Sequence, residues 1–257
     1  MFRPLTRALR VLHALMLREM ITRYGASRLG YLWAVLEPVG FIALLSLVFS
    51  QIAHSPPVGQ SFPLFYATGY IGYHWVMETS GIVSRSIHVN RPLLAFPSVT
   101  PIDTILARFI LQTVTILIVS LIIFGTILAI FADAVAIDLG PLLRAFGAAM
   151  LLALGIGIFN AWAFAQSKSW EFVWIMLSRP LFLISCIFFT FGSMPTFVRE
   201  ILWWNPIVHL VGSIRAGFYP VYDGSYATPG YVAVLALAFM VVGLAGLRAA
   251  DGRVAQP

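Results

Sequence analysis

Residues 18–40, REMITRYGASRLGYLWAVLEPVG, join a basic, patterned segment to an almost wholly apolar one, and that join decides the fold. Upstream of it Leu5, Leu9, Leu12, Met16 and Met20 recur at spacings of three and four, one stripe of a 3.6-residue helix. Arg3, Arg7, Arg10 and Arg18 fall on the other face. A helix so patterned lies in the plane of a bilayer, its stripe in the acyl boundary and its arginines among anionic headgroups. Gly25 and Gly30 then form an elbow, and Leu32 to Ala53 runs 22 residues with Glu37 as its one charge. About 20 apolar residues cross the hydrocarbon. Glu37 and Pro38 therefore lie inside a first span, near its cytoplasmic end.

Composition agrees with this start. Of 257 residues 60% are hydrophobic and 10% charged, against ~25% charged in soluble domains, so the expected fold class is an all-α integral membrane protein. Arginines interrupt the first 20 residues, which do not read as a cleavable signal. The formal charge of +6 resides in arginines crowded near span ends, which is a topology signal and no mark of nucleic acid. The lone Cys186 excludes an intrachain disulfide and reads as a small buried hydrophobe.

Six apolar segments are long enough to cross, roughly 31–53, 62–84, 104–131, 142–166, 172–191 and 231–247. The chain reads as one domain over 1–257: interfacial helix and elbow at 1–30, six-span bundle at 31–247, tail at 248–257. Twelve of the sixteen basic residues fall before the first span, within 85–108, at Lys168 or after the sixth span, which places both termini in the cytoplasm. The connection after the second span is punctuated by Pro92, Pro97 and Pro101. It reads as a short helix over 85–91, a turn, and a new helix from about Ile102, since each proline discourages one continuous helix. Residues 192–230 are too long and too apolar for an ordinary wet loop. Asn205-Pro206 is a cap followed by proline at the first helical position, so two short amphipathic helices broken at Asn205 are expected. They either lie on the outer surface or dip back as a re-entrant pair packed against the spans.

What is missing constrains function. Lys168 is the single lysine and no glycine loop precedes it, so the chain has no P-loop. Its histidines, acids and cysteine form no metal-ligand motif, and no cofactor is expected in this chain. Gly155 and Gly157 read as close helix packing rather than a nucleotide fold. Glu37, Glu78 and Arg179 lie in or near spans, where ionisable groups face protein or an aqueous cavity. Structural pairing, proton coupling and a place at a cytoplasmic entrance are all open for them. Tyr66, Tyr70 and Tyr73 share one helical face, with Trp75 in the same span. That face is either an interfacial belt or helix packing, or a surface on which sugars slide.

A family resemblance runs through the chain in order. Leu17-Arg18-Glu19, Thr22-Arg23-Tyr24-Gly25, Arg28 to Ala34 and Leu36-Glu37-Pro38 resemble the opening of permease subunits of capsular polysaccharide ABC exporters, the ABC-2 type. Arg91-Pro92, Pro101 to Ile105, Ala107-Arg108, Arg179-Pro180-Leu181, Ile184-Ser185-Cys186 and Trp204 to His209 continue the likeness. The resemblance implies a second copy of the chain, two separate ATP-binding subunits that hold ATP and Mg, a periplasmic adaptor and an outer-membrane channel. It implies a lipid-linked polysaccharide substrate at the inner membrane of a Gram-negative bacterium. By the same resemblance Arg18, Glu19, Arg23, Arg85, His88, Asn90 and Arg91 are expected at the ATPase contact. Tyr31, Trp33, Glu37, Tyr66, Tyr70, Tyr73 and Trp75 are expected along the substrate path, and Trp203, Trp204, Asn205 and Pro206 at an external gate. Exporters of O-antigen or teichoic acid share this architecture. An ion-coupled transporter or a membrane enzyme are the rivals from other classes.

Overall fold

The computed structural model describes residues 5–24, 30–96, 99–131 and 136–249. Gly25, Arg28, Pro97 and the tail from residue 250 lie outside them. The described residues are helical, with no strand among them. Helix α1 (Leu5–Tyr24) precedes α2 (Gly30–Ile52) and α3 (Phe62–Ser84), and two single turns follow, α4 (Ser86–Val89) and α5 (Arg91–Leu94). Then come α6 (Pro101–Phe131), α7 (Leu139–Gln166), α8 (Lys168–Leu183), α9 (Thr196–Trp203), α10 (Pro206–Phe218) and α11 (Pro229–Ala249).

Local chemistry sets the helix starts. Ser61 accepts from the Leu64 amide at the head of α3, and Asp138 accepts from Gly140 at the head of α7. Thr100 and Asp103 cap each other reciprocally at α6: the Thr100 amide donates to Asp103 and the Asp103 amide to the Thr100 hydroxyl. Asn205 Oδ1 accepts from the Ile207 amide at 3.0 Å, so the cap read from Asn205-Pro206 is present. The expected single helix over 85–91 is instead two turns broken at Asn90, whose amide and side chain both donate to the Ser86 carbonyl and close the first.

Helices α3 and α7 form the centre. The former packs on α2, α6, α7 and α10, the latter also on α11. Between lipid-soluble helices burial from water gives no drive, and close approach and hydrogen bonds matter more. Gly243 allows that approach, since a Cβ there would sit 2.7 Å from the Phe159 amide. A Cβ on Gly155 would likewise collide with the Ala236 carbonyl oxygen. At Gly155 the expectation of close packing is met.

Among the described residues α2, α6, α7 and α11 are long and apolar enough to cross a membrane. With 23 residues α3 matches α2 in length but carries Tyr66, Tyr70, Tyr73, His74 and Glu78 and buries most of its surface in protein. The fifth segment differs from expectation: α8 starts at Lys168 and stops at Leu183, 16 residues, and 184–190 is irregular. Its physical reason lies elsewhere in the chain. Asn205 Nδ2 donates to the Ile184 carbonyl, and the Arg215 guanidinium donates to the carbonyls of Ile187 and Phe189 at 3.1 and 2.9 Å. Those carbonyls are satisfied without a helix, and Cys186 takes the left-handed conformation at φ 58°. Cys186 is fully buried, as expected. Helix α10 is almost wholly buried against α3 and α7, whereas α9 buries only Leu202.

Candidate functional site

At the α1 end of the bundle, residues from four elements meet. Among the described side chains of α1, Leu15 and Glu19 are the buried ones, and α1 packs on α6. The stripe of Leu12, Met16 and Met20 flanks this contact half-covered, while Leu9, Leu17 and Ile21 are exposed. The contact with α6 lies to one side of the apolar stripe, where a buried cation on α6 claims Glu19. Glu19 pairs with Arg108 Nη2 at 2.6 Å, both side chains about nine-tenths buried. Arg108 Nη1 also donates to the Ile82 carbonyl of α3. Beside it Arg18 donates to Asn90 Oδ1 at 2.9 Å, tying α1 to the break between α4 and α5. Of the residues expected at an ATPase contact, Arg18, Glu19 and Asn90 come together, joined by Arg108, which the sequence marks only as part of the family likeness. Arg85 pairs at 3.1 Å with Glu171 of α8, another unexpected partner, and both are largely exposed. His88 and Arg91 are exposed nearby. The Arg23 side chain lies outside the description.

Two cavities lead inward from this end. A groove of about 450 Å³ is lined by Glu19, Thr22, Glu78, Gly81, Ile82, Arg85, Val89 and Arg108. A second cavity of about 310 Å³ is lined by Trp33, Glu37, His74, Glu78, Gln112 and Thr115 among others. Glu78 lines both, so polar groups continue from the groove to a site between α2, α3 and α6. In a bilayer such side chains are costly unless they face water or one another. The arrangement gathers carboxylates, an imidazole, an amide and a hydroxyl, all able to bond to hydroxyl groups. Among the described residues no three of His, Cys, Asp and Glu converge to hold a metal ion. Trp33 and Glu37 fall on this cavity, while Tyr31 is exposed on the same helix and Arg179 is exposed on α8.

The aromatic face of α3 is engaged in packing within the chain, one of the readings its spacing left open. Tyr66 is fully buried among Phe49, Phe62 and Phe65. Tyr70 stacks on Phe41 at 4.6 Å and bonds to His74 Nδ1 at 3.3 Å, touching the wall of the polar cavity. Tyr73 donates to the Ser178 carbonyl of α8. In this subunit the three rings knit α3 to α2 and α8. Trp75 points the other way, buried against Phe146 of α7, and does not share their face.

At the opposite end the corner between α9 and α10 is locked by His209, which closes the Trp204 to His209 stretch and was not among the residues expected at the gate. His209 Nδ1 accepts from the Thr228 amide at 3.1 Å, so its proton sits on Nε2, which donates to the Trp203 carbonyl at 2.6 Å. Trp203 packs on Trp204, His209 and Tyr231, and the Tyr231 hydroxyl donates to the Trp204 carbonyl. The four residues expected at an external gate thus sit on one braced corner.

These features define a multi-pass, all-helical membrane protein with a polar interior cavity and a surface helix latched to one end. The chain belongs to the ABC-2 type transporter family, which it matches over residues 10–219. It is 32% identical to the polysialic acid transport protein KpsM of Escherichia coli over 232 residues, 90% of each chain. It is 28% identical to the capsule polysaccharide export inner-membrane protein CtrC of Neisseria meningitidis, over 92% of this chain and 89% of CtrC. With the capsule polysaccharide export inner-membrane protein BexB of Haemophilus influenzae it shares 27% identity over 91% of this chain and 89% of BexB.

Proposed function

We propose that this chain is the transmembrane permease subunit of an ATP-driven exporter, moving lipid-linked capsular polysaccharide out of the cytoplasm across the bacterial inner membrane. The observation that carries this reading is the similarity to capsule export proteins along about nine-tenths of the chain. The missing P-loop fits it: ATP and Mg bind to a separate ATPase, present in two copies beside two copies of this chain. A periplasmic adaptor and an outer-membrane channel complete the route. Helix α3, and α8 continued by 184–190, bring the four long apolar helices to six spans with both termini cytoplasmic. The burial of α10 favours a re-entrant α9–α10 pair over one lying on the outer surface.

In this reading Arg18, Arg85, His88 and Arg91, with Arg23, face the ATPase, the buried Asn90 and Glu19 hold them to the bundle, and the Glu19–Arg108 pair carries the movement into α6. Trp33, Glu37 and the cavity they line are the cytoplasmic part of the polymer path, with Tyr70 at its wall. Affinity purification of the tagged chain from native membranes should recover a P-loop ATPase. Changing Arg85 and Arg91 to glutamate should leave the chain in the membrane but cut ATPase recovery or surface polysaccharide at least fivefold. Unchanged recovery and export would make α4 and α5 a mere linker.

Orientation has its own check. A cysteine at Ser55 should react with an impermeant maleimide in intact cells, and one at Gln256 should react only after lysis. Labelling of Gln256 in intact cells would overturn the topology.

A further inference from the structure

At the end opposite α1, a cavity of about 320 Å³ opens among Arg199 of α9 and residues of three connections, those before α3, before α9 and before α11. Its lining includes Phe191, Arg199, Tyr222, Asp223, Ser225 and Tyr226. Phe191 and Tyr226 are stacked face to face at 4.0 Å, and the hydroxyls of Tyr222 and Tyr226 bond to each other at 2.8 Å. Asp223 accepts from the Ser225 amide at 3.0 Å, and its hydrogen bonds with Ser225 hold the carboxyl below the usual carboxylate range, so it is an ionised acceptor at neutral pH. Arg199 uses one of its five N–H groups, Nη2 donating to the Thr196 hydroxyl at 3.2 Å. Its Nε is out of reach of water and has no hydrogen-bond partner. Among the described residues no carboxylate lies within ion-pair distance of it.

Aromatic rings, an ionised carboxylate and a guanidinium that forms no ion pair among the described residues surround one small cavity, and together they make the set of contacts that an acidic sugar uses. Ring faces meet its C–H groups, Asp223 accepts from its hydroxyls, and the fork of Arg199 matches its carboxylate. The volume is at the lower end of the ~300–1,000 Å³ typical of small-molecule sites, enough for a sugar ring. We infer that this cavity is an exit-side subsite for a carboxylate-bearing sugar unit of the exported chain. The inference rests on the export reading above and adds to it a charge preference at the outer face.

The test uses the full-length chain in nanodiscs of zwitterionic phosphatidylcholine, so that no anionic headgroup competes. The probes are a sialic acid hexamer and a neutral dextran hexamer, and binding is read by saturation-transfer NMR and titration. The acidic hexamer should bind at least tenfold more tightly than the neutral one. Arg199→Gln should erase that preference, and Asp223→Asn should weaken the neutral probe more than the acidic one, because it also removes a negative charge that repels the sugar carboxylate. Equal binding of the two hexamers, or an unchanged preference in Arg199→Gln, would overturn the subsite. So would absence of binding by either. Complementation of a strain lacking the chain separates the two readings: restored surface polysaccharide without hexamer binding removes the subsite alone, and failure to restore it removes the export reading.

Discussion

Arg108→Met is expected to destabilise the subunit by about 3–5 kcal/mol, because it strands Glu19 as an unpaired buried carboxylate. For a chain of this size that is on the order of 10 °C in melting temperature. Glu19→Met should cost a similar amount by stranding Arg108. The double substitution removes both charges and both desolvation costs, so it should recover most of the loss, since a buried pair replaced by apolar side chains is often nearly neutral. Melting temperatures of the four proteins in one detergent close this cycle. Singles that each cost under about 1 kcal/mol would show that the pair is wet and that α1 is held by its apolar contacts alone. The double variant also separates stability from coupling: it should be folded and abundant, yet deficient in surface polysaccharide if the pair transmits movement from α1 to α6.

Arg215→Ala is expected to unlock residues 184–190. The guanidinium is fully buried, donates to two carbonyls and lies 4.2 Å from the Phe65 ring centroid. Each hydrogen bond to a charged group contributes ~1.5–3 kcal/mol, and the carbonyls of Ile187 and Phe189 would be left without these donors inside the protein. Arg215→Lys keeps the charge but loses the two-pronged geometry, so it should be intermediate. Cys186 is the only cysteine and is fully buried in this same segment, which makes it a built-in probe. Native protein should resist maleimide until denatured, and the alanine variant should label at least tenfold faster. Slow labelling of folded Arg215→Ala would mean that Asn205 and the surrounding packing hold the segment unaided.

Both residues mark the boundary of what sequence could reveal. Helices α2, α6, α7 and α11 are legible because length and apolarity are local properties, and the Asn205-Pro206 start of α10 is legible because a cap needs only its neighbours. The end of α8 is not, since it depends on donors from Asn205 and Arg215 across the α9–α10 corner. Nor is the face of α1 that meets α6. An amphipathic stripe shows which face is apolar, but the contact beside it is set by Arg108, a partner far along the chain. Tyr66, Tyr70 and Tyr73 do share a face, as 3.6-residue spacing requires. Periodicity, however, does not distinguish an open surface from one covered by α2 and α8. Glu37 and Glu78 stood out as charges in apolar segments, while His74 and Gln112 complete their cavity without any pattern of their own.

The most direct measurement is polymer movement in proteoliposomes that contain this chain and its copurified ATPase, with lipid-linked polysaccharide supplied on the ATPase side. The account predicts transport that requires both proteins and hydrolysable ATP and that persists when ionophores collapse every ion gradient. Transport by this chain alone, driven by a proton gradient and indifferent to ATP, would contradict it.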